Sequence, residues 1–550
     1  MKRILVMFLA ICMLLALAAC GGVSETPAVS AASAATDQQT ADNQSATPDA
    51  PVVDEAPPAP ATRTVDADKN TLIVGGFGEV TSFDPLTEGA NTMNMIGLCV
   101  YDKLYSFDKD GNLQMELAES VGYVGEDKMT LEIKIKDGIK FHNGDELTAE
   151  DVLYSIQRMT TSFMYASRVD AADFENATAE NGVVTIPMKY YDARFIPNLT
   201  GELGFIMNKR YIEEVGEEEA GRNPVGTGPY TFGDWKSGES ITLNRNAEYW
   251  GAQPDFESIV YKFFAEDNTR VLEFEQGTLD LAVVETSDNI NRLQNGEVPG
   301  GLIYTWITNK QGNMVMNTNK ETSPFYDNQN LRLAIAHAVD WTAVAEAIGG
   351  STVIAATSSM PSNCAAFEAH PYAYNPELAK QYLADAGYAD GFAFTIMVAS
   401  NQGSDVKMAE AMKAYLSQVG IDMTIESMDL FTLMGYQMSG EQIAGMVDNT
   451  IRGDDYEIFQ TFAKGSGNML CEVENDTFQS LLADIVSEKD DAKRMDLFKQ
   501  AQAVLYEDAS YIPIYQNVGS WAYQDYVNMG EDAVLAAEKV VDFTKLSFAR

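Results

Sequence analysis

The stretch LEIKIKDGIKFHNGDELTAEDVLYSI, residues 131–156, decides the fold. Leu131, Ile133 and Ile135 alternate with Glu132, Lys134 and Lys136, the period-two pattern of a half-buried strand. Asn143-Gly144 supplies a tight turn, because both residue types tolerate positive φ. Thr148-Ala149-Glu150-Asp151 predicts a helix start of the capping-box kind, with Asp in place of the usual Glu or Gln. There the Thr148 hydroxyl satisfies a free amide of the first turn, and two carboxylates face the positive helix end. Val152, Leu153 and Ile156 continue as the apolar stripe. The segment therefore reads strand, turn, capped helix.

Upstream, Lys2 and Arg3 precede an apolar run from Ile4 to Ala19, which ends in Ala18-Ala19 before Cys20. That run is too short for a comfortable membrane span and has the layout of an export signal. From Gly21 to Asp68 there is no Leu, Ile, Met, Phe, Tyr, Trp or Lys. Such a segment cannot bury a core and is expected to be a disordered tether, spanning about 40 Å root-mean-square. The remaining residues, 69–550, exceed what one hydrophobic core usually serves, so two or three lobes are expected. A formal charge of −44 argues against nucleic acid or anionic lipid as a partner. Cys99, Cys364 and Cys471 remain after the signal, an odd count that does not make a disulfide framework, although a Cys364–Cys471 bridge is open.

Downstream, Asn70 to Val74 reads as a strand followed by Gly75-Gly76-Phe77-Gly78-Glu79. Asn223 to Gly251 carries a glycine-punctuated turn and then a hairpin, with Tyr230, Phe232 and Trp235 on one strand and Ile241 to Asn244 on the other. Leu331 to Ile348 reads as one helix stopped by Gly349-Gly350. Asn375 caps a helix begun by Pro376, and Met408, Met412, Leu416 and Val419 mark another that ends at Gly420. Ile421, Met423 and Ile425 then alternate as a strand. Strands and helices alternating at this spacing predict an α/β fold with a mainly parallel sheet and a ligand crevice at the strands' carboxyl ends.

No GxSxG, HExxH, CxxC or P-loop sequence occurs, and the only histidines are His142, His337 and His370. An enzyme would lack its usual nucleophile, metal or phosphate device, and neither a metal nor another cofactor is expected. His142 and His337 read as structural. Asp108-Lys109-Asp110-Gly111-Asn112 with Glu119 imitates a calcium loop, but Leu113 occupies the position where that loop needs glycine, so it reads as a hairpin turn.

The sequence FHNGDELTAEDVLYSI (141–156) closely resembles the signature of the large extracytoplasmic solute-binding proteins of the peptide/nickel family, which serve ABC importers. NPVGTGPYTF (223–232), FEQGTLDL (274–281), SPFYDNQNLRLAIAHAVD (323–340) and YIPIY (511–515) extend the resemblance over most of Leu72 to Phe548. It implies two lobes joined by a hinge, the periplasmic-binding-protein arrangement of the large type II class. The base of lobe I would comprise residues 70–112, 223–315 and 510–550, with an inserted subdomain at 113–222 and lobe II at 316–509. Leu17-Ala18-Ala19-Cys20-Gly21 resembles a bacterial lipoprotein signal, which implies removal of residues 1–19, lipidation of Cys20 and a tether over 20–69 on the extracytoplasmic face.

The resemblance also implies where a ligand binds. Glu79, Val80 and Thr81 match positions where family members receive a peptide as an added strand. Asn317-Thr318-Asn319 is expected to form a strand-like crossing near the hinge. Arg452-Gly453-Asp454-Asp455-Tyr456 matches the place where peptide binders carry an aspartate for the ligand's α-ammonium, Asp454 being the aligned position with Asp455 beside it. Ile451 stands where a tryptophan is common. Two adjacent aspartates also read as a solvated turn, and both readings stay open. The expectation is a monomeric, non-enzymatic receptor that passes oligo- or dipeptides to a permease. Oligosaccharides, nickel chelates or a peptide-signal role are the alternatives.

Overall fold

The structure, a computed structural model, describes residues 68–87, 91–107, 112–162, 165–400, 403–451, 454–464, 472–473, 475–530, 533–535 and 540–549. Cys20 with its signal and almost all of the tether, Asp108 to Gly111, Arg452 and Cys471 lie outside these residues.

Lobe I begins with β1 (Thr71–Gly75), whose alternate residues Leu72 and Val74 are wholly buried. A short hairpin, β2 (Tyr105–Phe107) with β3 (Leu113–Met115), leads into a separate antiparallel sheet. That sheet runs in the order β4 (Ala118–Val124), β5 (Thr130–Ile135), β7 (Val183–Pro187), β6 (Thr178–Glu180). The alternation read in residues 131–135 is the burial pattern of β5: Leu131 and Ile133 are wholly buried, while Glu132 and Lys134 are exposed. They pack on the helix Ala149–Arg158 through Val152 and Ile156, making a core of their own. Truncating such a buried isoleucine to alanine costs about 2–5 kcal/mol.

The capping box forms as read. Thr148 Oγ1 accepts from the Asp151 amide, and Asp151 Oδ2 accepts from the Thr148 amide at 2.9 Å. Asp151 Oδ1 also accepts from the Lys209 amide at 2.9 Å, so the cap ties two helix starts together. His142 connects the signature to the glycine-punctuated turn: its Nε2 pairs with the Gly228 carbonyl at 2.9 Å, and its own amide donates to the Gly226 carbonyl at 2.9 Å. Gly226 is required there, because a Cβ would lie 2.0 Å from the Val100 carbonyl oxygen.

Among the described residues the main sheet has eleven strands. Its lobe I half contains β8 (Tyr230–Lys236), β9 (Ser240–Arg245), β10 (Ser258–Lys262), β1 and β11 (Leu281–Val283). Its lobe II half contains β14 (Phe392–Ala399), β15 (Ile421–Met428) and β16 (Ala444–Thr450). Two long strands, β12 (Gly301–Met316) and β17 (Tyr511–Gln524), run through both halves, and β13 (Val353–Ala355) pairs with β17.

The sheet differs from the mainly parallel one expected. Only β1 with its neighbours β10 and β11, and β14 with β15 and β16, are parallel. The central β12 and β17 are antiparallel because they carry the chain out of lobe I and back again. Their register shifts between Ile307 and Gln311 and again at Gly312/Asn313, which interrupts the β12–β17 ladder.

The segment read as one helix from Leu331 to Ile348 is two helices, Gln329–Ala338 and Trp341–Gly349. Val339 is extended, and Asp340 caps the second helix by accepting from the Ala343 amide at 3.0 Å. A carboxylate used as a cap competes with helix continuation, which explains the break. Asn375 caps the helix Pro376–Asp385, and Met408, Met412, Leu416 and Val419 are all buried in the lobe II core.

Candidate functional site

Arg270 gathers the carboxyl ends of lobe I's parallel strands. Wholly buried, it donates to the carbonyls of Val283 at 2.7 Å, Gly76 at 3.0 Å and Phe264 at 3.4 Å. Asp267 and Glu285, at 2.9 and 2.8 Å, balance its charge. The loop that leaves β1 is thereby fixed at its origin, in the region where open α/β sheets bind ligands. The Phe77 amide also donates to the Tyr261 hydroxyl at 2.8 Å.

Both edges of β1 are taken by β10 and β11, so residues 77–81 diverge from the sheet. The Glu79 carboxylate accepts from the Trp235 indole at 2.6 Å, the Gly238 amide at 2.8 Å and the Ser237 hydroxyl at 3.2 Å. Glu79 therefore pins the loop to the β8–β9 hairpin. Val80 is buried and Thr81 is exposed.

In lobe II, β16 ends at Thr450 and the chain turns into the short helix Tyr456–Gln460. Asp454 is buried, and its Oδ1 accepts from Arg494 Nη2 at 2.6 Å and from the Tyr456 amide at 2.9 Å. Arg494 is held in turn by the Ile485 carbonyl at 3.0 Å and lies 5.0 Å from the centre of the Phe498 ring. Asp454 is thus an internal ion-pair partner.

Asp455 differs. Its carboxyl is half-buried and is not used to cap the helix that follows. Its side-chain hydrogen-bond partners, the Cys364 thiol and the Ala366 amide, are both neutral. Burial, and then the neighbouring Asp454 charge, push its pKa up to about 6. The same contact and burial push the Cys364 thiol well above its ordinary value, so this cysteine is a poor nucleophile.

Asn317 is the third place singled out in the sequence. It is buried, its Nδ2 donates to the Gln442 and Gly440 carbonyls at 2.7 and 3.1 Å, and its Oδ1 accepts from the Asn319 and Lys320 amides. It braces the chain where β12 ends and β16 begins, just past the last β12–β16 pair, Met316 with Ala444.

Sequence reasoning passed over Arg270 and Arg494. Both sit on the buried stripe of their helices, Arg494 in line with Phe498, Ala501 and Leu505, and Arg270 with Val271 and Phe274. A guanidinium on an apolar stripe signals a buried carboxylate or carbonyl partner. A groove of about 580 Å³ lies beside the signature segment, and the two cations on its wall are already paired, Lys209 with Glu150 and Arg210 with Asp145. Among the described residues no group of three or more His, Cys, Asp or Glu is arranged to hold a metal ion, and no helix is long and apolar enough to cross a membrane.

Residues 112–469 match the model of the bacterial extracellular solute-binding proteins, family 5 (middle). The chain belongs to that family. Family 5 comprises solute-binding proteins of the peptide/nickel importer type rather than enzymes. The chain is 25% identical over 503 residues to heme-binding protein A of Haemophilus influenzae, covering 83% of this chain and 89% of that protein. It is 25% identical over 475 residues to the glutathione-binding protein GsiB of Escherichia coli K12, covering 80% and 88%. Its fold matches the periplasmic binding protein DppA of Helicobacter pylori in complex with the peptide STSA, with a TM-score of 0.72, 22% identity, and 87% and 98% of the two chains covered. The two-lobed α/β architecture is therefore that of family 5.

Proposed function

We propose that this family 5 protein is a lipid-anchored receptor that captures an oligo- or dipeptide between its lobes and delivers it to an ABC permease. The observation that carries the peptide reading is Asp455, a half-buried carboxyl whose hydrogen-bond partners among the described residues, Cys364 and Ala366, are neutral, beside an aspartate already paired with Arg494. A ligand ammonium would favour the ionised form of this carboxyl and make a charge-assisted hydrogen bond with it. This reading moves the ammonium site from Asp454, the position aligned in the sequence, to its neighbour. Residues 79–81 would contribute main-chain contacts from lobe I, with Glu79 holding the loop rather than touching the solute. Arg452, outside the described residues, stays a proposed ligand contact on the family resemblance alone.

Closure would bend the chain at the register shifts of β12 and β17, bringing Asp455 and the loop onto one ligand. Moving the lobes from one per cent closed to ninety-nine per cent takes about 5.5 kcal/mol of differential binding. The support from relatives is the DppA complex with a tetrapeptide and the glutathione-binding protein, since glutathione too carries an α-ammonium. Heme-binding protein A is one relative that points to a different solute.

The test is to purify the protein, denature it and identify the released solute by mass spectrometry. Peptides of mixed side chain support the reading, whereas a sugar, a metal chelate or heme would sink it. Anchoring is tested separately: Cys20→Ser should move the protein from the membrane fraction to the soluble fraction, and unchanged fractionation would refute the lipid anchor.

A further inference from the structure

The subdomain built on β4 to β7 reaches across to lobe II at the residues that follow Asp455. Arg168 pairs with Glu457 in a largely buried contact. The Arg194 guanidinium lies 4.7 Å from the centre of the Tyr456 ring while held by Asp192 at 2.6 Å. The Ala193 amide donates to the Val486 carbonyl at 2.9 Å, and Lys489 Nζ donates to the Asp127 carbonyl at 2.9 Å. Lys489 also lies 5.3 Å from the centre of the Tyr191 ring.

These contacts are made by protein groups alone. None of them uses Asp455 or the loop at 77–81. They fall on two short stretches of lobe II, 456–457 and 486–489, joined through Arg494, which bonds both the Ile485 carbonyl and Asp454. The Asp454–Glu457 turn is therefore a shared element. One of its residues offers the half-buried carboxyl, and the next two grip the opposite jaw.

We propose that the inserted subdomain is the closing jaw of this protein. Arg168–Glu457, Arg194–Tyr456 and Lys489–Asp127 act as a latch that favours closure whatever solute is bound. A latch of this kind sets the open-to-closed ratio, so apparent affinity rises with the closed fraction and the crevice need not change. It also explains why the turn is braced by the buried Asp454–Arg494 pair. A latch that must register with Arg168 and Arg194 needs its residues held in one geometry. The inference rests on closure of the two lobes but not on the identity of the solute, so a failed peptide test would leave it standing.

The Ala193 amide reports the state of the latch directly, because its acceptor is across the interface. Hydrogen exchange is measured by mass spectrometry on the full-length protein in detergent micelles, with no solute added. Glu457→Arg and Arg168→Glu should each speed exchange at Ala193 by about fivefold, since a half-buried ion pair becomes a like-charge contact. The double variant R168E/E457R should return exchange to near the wild-type rate. Lys489→Ala, at a more exposed site, should also speed it, and β5 should keep its wild-type protection throughout. Unchanged exchange at Ala193 in both Glu457→Arg and Lys489→Ala overturns the proposal. So does a double variant that exchanges as fast as the single ones.

Discussion

Arg494 and Asp454, forty residues apart, form a buried ion pair at 2.6 Å that anchors the turn preceding the Tyr456–Gln460 helix. Among the described residues the adjacent Asp455 makes no ion pair, and Arg494 acts on it only as a nearby charge that favours its ionised form. The two neighbouring aspartates are therefore held differently, Asp454 by an arginine and Asp455 by neutral donors.

This division predicts opposite mutational signatures. Asp454→Ala leaves Arg494 buried without its carboxylate and should destabilise the protein by about 3–5 kcal/mol. Asp455→Asn removes a charge that the fold already disfavours and should leave the thermal midpoint unchanged or slightly raised. Its effect should appear in binding. With trialanine as probe, losing a charge-assisted hydrogen bond costs about 1.5–3 kcal/mol, roughly ten- to a hundredfold in Kd. Calorimetry and thermal unfolding on the two variants separate these outcomes. Equal destabilisation by both would remove Asp455 from the site.

The pH dependence follows from the same carboxyl. Its folded pKa, about 6, lies above the usual aspartate value, so the folded state holds the proton more tightly than the unfolded chain does. Its contribution to stability is fully present below the unfolded value and is lost as pH rises through about 6. Binding of an ammonium has the opposite sign, because only the ionised carboxylate accepts it. Trialanine keeps its charge across this range, so its affinity should fall roughly tenfold between pH 7 and pH 5. Asp455→Asn should flatten that slope. A wild-type profile flat from pH 5 to 7 would count against ionised Asp455 as the partner.

How much of this was legible in the sequence depends on distance along the chain. Thr148, Asp151, Asn375 and Pro376 act within one helical turn, so their pattern is their structure. The period of Met408, Met412, Leu416 and Val419 reports burial equally locally. Asp340 was also local, but a carboxylate between two apolar helices reads as an exposed position until its cap is seen. The Asp454–Arg494 and Glu79–Trp235 contacts join residues that no periodicity connects, and they decide which acidic groups are free to meet a ligand. Family resemblance placed the crevice near residues 79 and 454–455, and only the folded chain shows which carboxylates are already engaged.

His142 carries a prediction for the signature segment. Its ring and its amide both bond the 226–228 turn, and burial lowers its pKa, so it serves as a neutral tie between subdomain and lobe I. His142→Phe keeps the bulk and removes both ring hydrogen bonds: the Gly226 amide loses its acceptor Nδ1 at 3.4 Å, and the Gly228 carbonyl keeps the longer contact from Asn246 at 3.3 Å. The expected loss is about 1–3 kcal/mol in urea unfolding. Trialanine affinity at saturating fold should be unchanged, since His142 lies in the structural seam. A variant with wild-type stability and altered binding would reverse the assignment.

Glu79 and Trp235 test whether the lobe I loop is positioned or merely adjacent. The indole donates to one carboxylate oxygen at 2.6 Å, while Gly238 and Ser237 hold the other. If that bond sets the loop, Glu79→Ala and Trp235→Phe remove the same interaction. Their effects on trialanine affinity should then be non-additive. The double variant should lose little more than the worse single one, with a coupling of about 0.5–1.5 kcal/mol. Trp235 also packs against Phe83 at 5.2 Å, and phenylalanine keeps an aromatic ring in that contact, so the cycle isolates the hydrogen bond. Strict additivity would mean that Glu79 and Trp235 act separately and that something other than this bond orders residues 77–81.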